Sequence, residues 1–354
     1  MVYNFNAGPS ILPKEVFEEA AAAVLNFNNT GLSILEFGHR TPAFEAIMKE
    51  ARQLMKELMS LDNNHEVLFL HGGASTQFMQ VPLNLLDLKE TAAYTDTGVW
   101  AAKAIKEAKL FGKPEIVCSS KEKNYTFLPK DFAVPNDSKY LHITTNNTIY
   151  GTQWQKIPAT SNSMIADMSS DILSRDMDFN AFDLIYAGAQ KNIGAAGVTV
   201  VIVNKNILGK VKRNIPTMMD YRNHIEEGSM LNTPPVFAVY TCMLTLRWLK
   251  KQGGVKAIEK INNEKAALLY AEIDRNSLFK GTVEKEDRSK MNVCFVMNDS
   301  SKEAAFLQYA TEKGIIGIKG HRSVGGFRAS LYNAMPLSSV EVLVDLMKAF
   351  EASN

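Results

Sequence analysis

The sequence predicts an α/β protein: a mostly parallel seven-stranded sheet flanked by helices, followed by a smaller α+β unit. Three observations carry that expectation. Short apolar segments alternate with stretches of helical periodicity as far as about residue 255. The segments are short, while the periodic stretches between them are long enough for helices. Beyond residue 255 the order changes to strand, helix, short strands and a closing helix.

In chain order, Pro13 occupies a first-turn position, and Val16, Ala20, Ala23, Val24 and Phe27 recur on one face of the helix that follows. A second helix starts at Pro42, with Phe44, Ile47, Met48, Ala51, Met55 and Leu58 as its apolar stripe. Then come a strand at 67–70, a helix through 78–86, a strand at 92–94, a helix through 101–109 and a strand at 116–118. Residues 119–139 are polar and punctuated by proline, which marks a surface excursion. Four further strands are expected at 140–143, 164–166, 184–187 and 198–203. Asn232-Thr233-Pro234-Pro235 combines a capping residue with proline and predicts a helix start. That helix runs to about residue 251, and Gly253-Gly254 ends it. A long helix from 255 to about 276 leads into a strand at 292–297, a helix at 302–313, short strands at 315–318 and 328–331, and a helix at 340–350. The expected division is a large domain over 14–255 and a small domain made of 1–13 with 256–354.

At 354 residues the chain has the length of about two domains. Its 46% hydrophobic and 22% charged residues suit a sizeable core in water. A net charge of +1 offers no electrostatic reason to expect nucleic acid or an anionic membrane as partner. Cys118, Cys242 and Cys294 are widely spaced and in no metal-ligand pattern, so a reduced compartment and no metal are expected. No apolar run is long enough to span a bilayer, and the first residues lack the basic start and apolar stretch of a signal peptide. A cytoplasmic enzyme is the expectation.

The chemistry concentrates in one turn. Gly188-Ala189-Gln190-Lys191-Asn192 lies between two apolar strands, where a surface lysine has no reason to be. An upstream strand ends in Asp167. A lysine to form a Schiff base and a strand-end carboxylate to hold a pyridinium proton together suit pyridoxal phosphate. His71-Gly72-Gly73-Ala74-Ser75-Thr76 follows a strand and opens a helix, so its first-turn amides make an anion site. The dinucleotide fingerprint and the P-loop are both missing, so the bound phosphate is not expected to belong to a nucleotide.

These segments also carry a family likeness. Asn6-Ala7-Gly8-Pro9, Gly38-His39-Arg40, His71-Gly72-Gly73, the Tyr186–Gly194 stretch, Asn232-Thr233-Pro234-Pro235, Gly320-His321-Arg322 through Ser330, and Tyr332-Asn333-Ala334-Met335-Pro336-Leu337 fall in register over the whole chain. In these stretches the chain resembles the phosphoserine aminotransferases, fold-type I pyridoxal-phosphate enzymes of the class V group. The resemblance implies that Lys191 carries the cofactor and that Asp167 partners the pyridinium nitrogen. It implies that Trp100 stacks on the ring, that Thr148 touches it, and that Ala74, Ser75 and Gln190 surround its phosphate. Asn232 and Thr233 are implied to reach that phosphate from the other subunit of a homodimer. Arg328 is implied to anchor the substrate α-carboxylate. His39 and Arg40, donated by the partner subunit, and His321 and Arg322 are implied to hold the distal anion. Guanidinium groups bind carboxylate and phosphate alike, which a site accepting glutamate and a phosphorylated keto acid in turn requires.

The implied reaction is amino transfer between L-glutamate and 3-phosphooxypyruvate in serine biosynthesis, and in some bacterial relatives also the formation of 4-phosphooxy-L-threonine on the route to pyridoxal. Two departures bear on affinity: some relatives have arginine where this chain has Ser75, and some have serine where it has Ala7. Rival expectations are a serine–glyoxylate type aminotransferase, which would not need two His-Arg pairs, a cysteine desulfurase, which would need a reactive cysteine on a loop, and a non-catalytic pyridoxal-phosphate binding protein.

Overall fold

The computed structural model describes residues 1–354. The chain opens with β1 (Tyr3–Asn4), α1 (Lys14–Asn26) and α2 (Pro42–Leu58). It continues through β2 (His65–Leu70), α3 (Gly73–Leu85), β3 (Thr91–Asp96), α4 (Val99–Ala108), β4 (Lys113–Ser119), β5 (Tyr140–Thr144), β6 (Ser163–Asp167), β7 (Leu184–Gly188) and β8 (Thr199–Asn204). After the short α5 (Tyr221–Glu226) come α6 (Val236–Lys251) and α7 (Gly254–Arg275). The last part holds β9 (Phe279–Gly281), β10 (Asn292–Met297), α8 (Glu303–Glu312), β11 (Ile315–Ile316), β12 (Phe327–Ser330) and α9 (Leu337–Ala352).

Seven strands form one sheet in the order β2-β8-β7-β6-β5-β3-β4. Both of its faces are covered, and successive residues serve different cores. Ile185 and Ala187 belong to the large core under α1, α2 and α6, whereas Leu184 and Tyr186 belong to the core under α3 and α4. All neighbours are parallel except around β8, which runs against both β2 and β7. The reason is local: the segment from Gly188 to Thr199 is too short for a helical crossover and returns the chain antiparallel. The carboxyl ends of β2, β3, β5, β6 and β7 therefore share one edge, where open α/β sheets bind their ligands.

A second apolar core gathers Phe5 with residues between Ala266 and Phe350, around the three-stranded antiparallel sheet β12-β10-β9. Its aromatic centre is Phe279, Phe295, Phe306 and Phe327, packed edge to face or stacked. The helix α7 serves both cores: Val255 and Ile258 lie in the large one, Ala266, Leu269 and Ile273 in the small one.

Several boundaries differ from expectation. The predicted helix start at Asn232 lies outside any helix, since α6 begins at Val236 with Pro235 as a cap that makes no side-chain hydrogen bond. Two consecutive prolines at 234 and 235 leave no amide two or three residues on for Asn232 to cap. The strand expected at 315–318 stops at Ile316, because Gly317 takes φ +79° and turns the chain against Asn6. The pairing of β1 with β11 and the strand β9 were not anticipated, being two and three residues long.

Gly72 shows how tightly the turn into α3 is built. It has φ +91°, and an added Cβ would lie 2.0 Å from Thr76 Oγ1, so the side chain that folds back on the Gly72 carbonyl leaves room for hydrogen only. Gly72→Ala is expected to lower the unfolding free energy by about 2 kcal/mol, read by urea titration. An unchanged midpoint would contradict this account of the turn.

Candidate active site

The carboxyl edge of the sheet and the small core enclose a cavity of about 350 Å³. Each strand end delivers one kind of group to it. The turn after β2 opens α3, whose first residues Gly73, Ala74 and Ser75 line the cavity. Amides of a first helical turn have no partner within the helix, so this wall is an anion cradle. The end of β3 brings Trp100, whose Nε1 is buried without a hydrogen-bond partner. The end of β5 brings Thr148, and β6 ends in Asp167. Register keeps these ends level: Thr144 pairs with Asp167, and Asp167 with Tyr186.

Lys191 lies at the centre, in the short return from β7 to β8. Its Nζ donates to Thr148 Oγ1 at 2.8 Å. Arg328 of β12 donates from Nη1 to the Thr148 carbonyl at 3.2 Å and keeps a buried Nε without a partner. One residue thus ties the amine to the guanidinium. Burial pulls the Lys191 pKa down to about 8; the Arg328 charge acts in the same direction, against Asp167 and Asp171. Burial also raises the Asp167 pKa, opposed by hydrogen bonds from Ser169 and by the Lys191 charge. The Ser169 amide donates to Asp167 Oδ1 at 2.9 Å. A cation placed beside Asp167 would favour its ionised form further.

The remaining expected residues divide into two groups. Gln190 and His321 line the cavity with those already named. His321 is held below the ordinary histidine range, first by burial and then by the charges of Arg328, Arg322 and Lys103. His39, Arg40, Asn232, Thr233 and Arg322 do not line it. Arg40, Thr233 and Arg322 are exposed, and His39 has a buried Nε2 without a partner. The Thr233 carbonyl accepts a hydrogen bond from His71 Nε2 at 3.0 Å, which places that segment beside the turn into α3.

Ala7, noted in the sequence only as a departure that bears on affinity, lines the cavity, and other lining residues escaped the sequence reading as site residues: Gly8, Thr144, Asn146, Ser169 and Ser170 among them. Ala7 and Gly8 belong to an N-terminal segment that crosses the lysine loop. Ser10 donates from its amide to the Gln190 carbonyl at 3.0 Å and from Oγ to the Lys191 carbonyl at 2.6 Å. A Cβ on Gly8 would touch Lys191 Cγ at 3.4 Å. The Asn6-Ala7-Gly8-Pro9 run was the available signal, but the sequence does not say what it packs against.

Residues 2–343 match the family model described as aminotransferase class-V. The chain belongs to that family. It is 58% identical to a phosphoserine aminotransferase of Flavobacterium johnsoniae, over 99% of both chains. The solved phosphoserine aminotransferase of Bacillus circulans subsp. alkalophilus superposes with a TM-score of 0.97 at 44% identity, over 100% of this chain and 99% of that one. A pyridoxal-phosphate-bound phosphoserine aminotransferase from Trichomonas vaginalis superposes with a TM-score of 0.93 at 36% identity, over 98% of this chain and 100% of that one. The chain is thus an aminotransferase that uses pyridoxal phosphate.

The cavity suits that cofactor on its own chemistry. It brings together an amine of lowered pKa, a buried carboxylate, an indole and a helix-end anion cradle. The thiols suit no reactive-cysteine alternative: burial pushes Cys118 and Cys294 up to about 12, and Cys242 up as well.

Since unfolded lysine keeps its proton up to its ordinary value of 10.5, the folded Lys191 amine is free over a range where the unfolded chain still binds a proton. Stability of the apoprotein therefore gains from Lys191 as pH rises from about 8 to about 10.5. Competitive acetylation of the apoprotein, read by peptide mass, is expected to give Lys191 a midpoint near pH 8. A midpoint in the ordinary lysine range would contradict the burial described.

Proposed function

We propose that this chain transfers the amino group between L-glutamate and 3-phosphooxypyruvate, giving O-phospho-L-serine and 2-oxoglutarate in serine biosynthesis. The observation that carries the reading is the Thr148 link, which holds the Lys191 amine and the Arg328 guanidinium on one residue inside the cavity. When bound, pyridoxal phosphate supplies the carbonyl that takes up the amino group and the ring that draws electrons from the substrate Cα.

The protein's own groups then have distinct tasks. Lys191, with a pKa of about 8, takes the proton leaving Cα and can return it. Asp167 presents a buried carboxylate to the ring nitrogen. The α3 amides at Gly73, Ala74 and Ser75, beside Gln190, would hold the cofactor phosphate, and Trp100, which lines the same cavity, would stack on the ring. Arg328 takes the α-carboxylate shared by every substrate, through a fork whose Nε is unpartnered. His321, with Arg322 beside it, faces the distal carboxylate or phosphate.

The dimer belongs to the same proposal. His39, Arg40, Asn232 and Thr233 lie outside the cavity of their own chain, as residues donated to a partner would. Phe17, Leu25, Leu32 and Leu35 of the first 35 residues are exposed apolar side chains, which association would remove from water. A two-domain division over 14–255 against 1–13 with 256–354 is supported by the separate core of Phe5 and residues 266–350. A cytoplasmic location is supported by three unpaired cysteines, which a reducing compartment keeps as thiols.

O-Phospho-L-serine is expected to bleach the yellow band of the loaded enzyme into a near-ultraviolet band, and L-serine to do so far less. Conversion by L-serine alone would favour an enzyme for unphosphorylated substrates. Lys191→Ala should abolish conversion in both directions. Arg328→Lys should weaken phosphoserine and glutamate together by about 1–3 kcal/mol, since a bidentate charged contact is lost. Loss confined to the phosphorylated substrate would place Arg328 at the distal anion instead. Mixing inactive Arg40→Ala and Lys191→Ala enzymes should restore activity through hybrid dimers, and no recovery after subunit exchange would argue against shared sites.

A further inference from the structure

One buried ionisable group has no task in the chemistry above. Lys265 of α7 is fully buried, with 0% of its surface exposed. Its Nζ donates to the carbonyls of Leu331 at 2.9 Å and Tyr332 at 2.8 Å. Burial pulls its pKa down to about 7. A buried ammonium without a counter-charge is costly, and an apolar side chain of equal length would fill the space without that cost. Its place in the fold suggests what the cost secures.

Lys265 lies at the waist of α7, between Ile258 of the large core and Ala266 of the small one. One turn earlier, Asn262 donates from Nδ2 to Asn333 Oδ1 and to the Ser174 carbonyl, both at 2.9 Å. Asn333 in turn donates from its amide to Asn192 Oδ1 at 3.0 Å and from Nδ2 to the Leu173 carbonyl at 2.9 Å. Asn192, next to Lys191, donates to the Ile172 carbonyl at 3.0 Å. Three successive carbonyls, 172 to 174, thus accept from the lysine loop, the exit of β12 and α7. The middle one, Leu173, is buried and holds φ +57°, a conformation rare for a branched side chain.

The residues that Lys265 grips are those leaving β12, three and four positions beyond Arg328. Tyr332 also donates its hydroxyl to the Ala7 carbonyl at 2.7 Å, and Gly8 lies against Lys191. We propose that Lys265 is a positioning residue for amino transfer: by holding the carbonyls of Leu331 and Tyr332, it keeps Arg328 and the Ala7-Gly8 segment in register with Lys191. The proposal rests on the reading of Arg328 as the substrate's carboxylate anchor.

The test is Lys265→Met in the loaded enzyme, which keeps the side chain's length and removes its donors. The expected result is normal cofactor content with about tenfold weaker affinity for phosphoserine and glutamate alike, the loss of one charged hydrogen-bonding group expressed at the site. The limiting rate should fall less than the affinity, and Lys265→Met added to Arg328→Lys should cost little more than Arg328→Lys alone. Wild-type donor affinity with only a lowered melting temperature would overturn the proposal, as would penalties that multiply in the double variant. Affinity for 3-phosphoglycerate, which carries both anions but no amine, is measured by calorimetry on the same proteins. That comparison separates failure of this proposal from failure of the functional reading, which the wild-type enzyme with phosphoserine tests by itself. If Lys265→Met does not accumulate in loaded form, Lys265→Gln, a neutral donor on a shorter chain, takes its place. Failure of both to load would overturn the proposal, since Lys265 would then serve the fold as a whole.

Discussion

An amine that must give up its proton near neutral pH has to be buried, and a buried amine has to be held. That constraint organises the molecule. Burial alone moves Lys191 toward the neutral form, Arg328 pushes further, and Asp167 and Asp171 pull back, leaving the amine at about 8. Asp171 is itself anchored, accepting from Thr145 at 2.5 Å and from Gln153 at 3.1 Å. The carboxylates therefore act from fixed positions, and the balance between them is a property of the sheet's carboxyl edge.

That edge depends on the reversal at β8. A short return from β7 leaves Lys191 between two strands that are buried along almost their whole length, so the loop is tethered at both ends by the most rigid part of the chain. The second core then closes over it. Arg328 comes from β12, the N-terminal segment crosses the loop through Ser10, and α7 belongs to both cores. Geometry at the cavity is thus set by contacts between remote parts of the chain.

Much of this was legible from residue patterns. The stripe of Phe44, Ile47, Met48, Ala51, Met55 and Leu58 marks α2 because a helix buries every third or fourth residue; the first five are buried and Leu58 is half-buried. The apolar runs of β5 to β8 are unambiguous because they are covered on both sides. Lys191 and Asp167 stood out because charges at the ends of such runs are rare. What escaped was whatever depends on distant partners. The direction of β8 is not written in its composition. Lys265 has the spacing of an ordinary helical lysine, and only the turn after β12 shows why it points inward. Asn232 carries the residue type of a helix start, yet the prolines two and three residues on deny it an amide to cap.

The N-terminal strap has a further consequence for how the enzyme comes into being. Tyr3 pairs with Ile315, Phe5 packs in the core completed by α9, and Ser10 binds the carbonyl of Lys191. Residues 3–5 therefore have nothing to pack against until the segments from β9 to α9 are in place, whereas Ser10 needs only the lysine loop. The central sheet is built from residues 65–204 alone, but the wall of the cavity contributed by Ala7 is fixed only once Tyr332 donates to its carbonyl. The cavity is complete only when segments 325 residues apart have met.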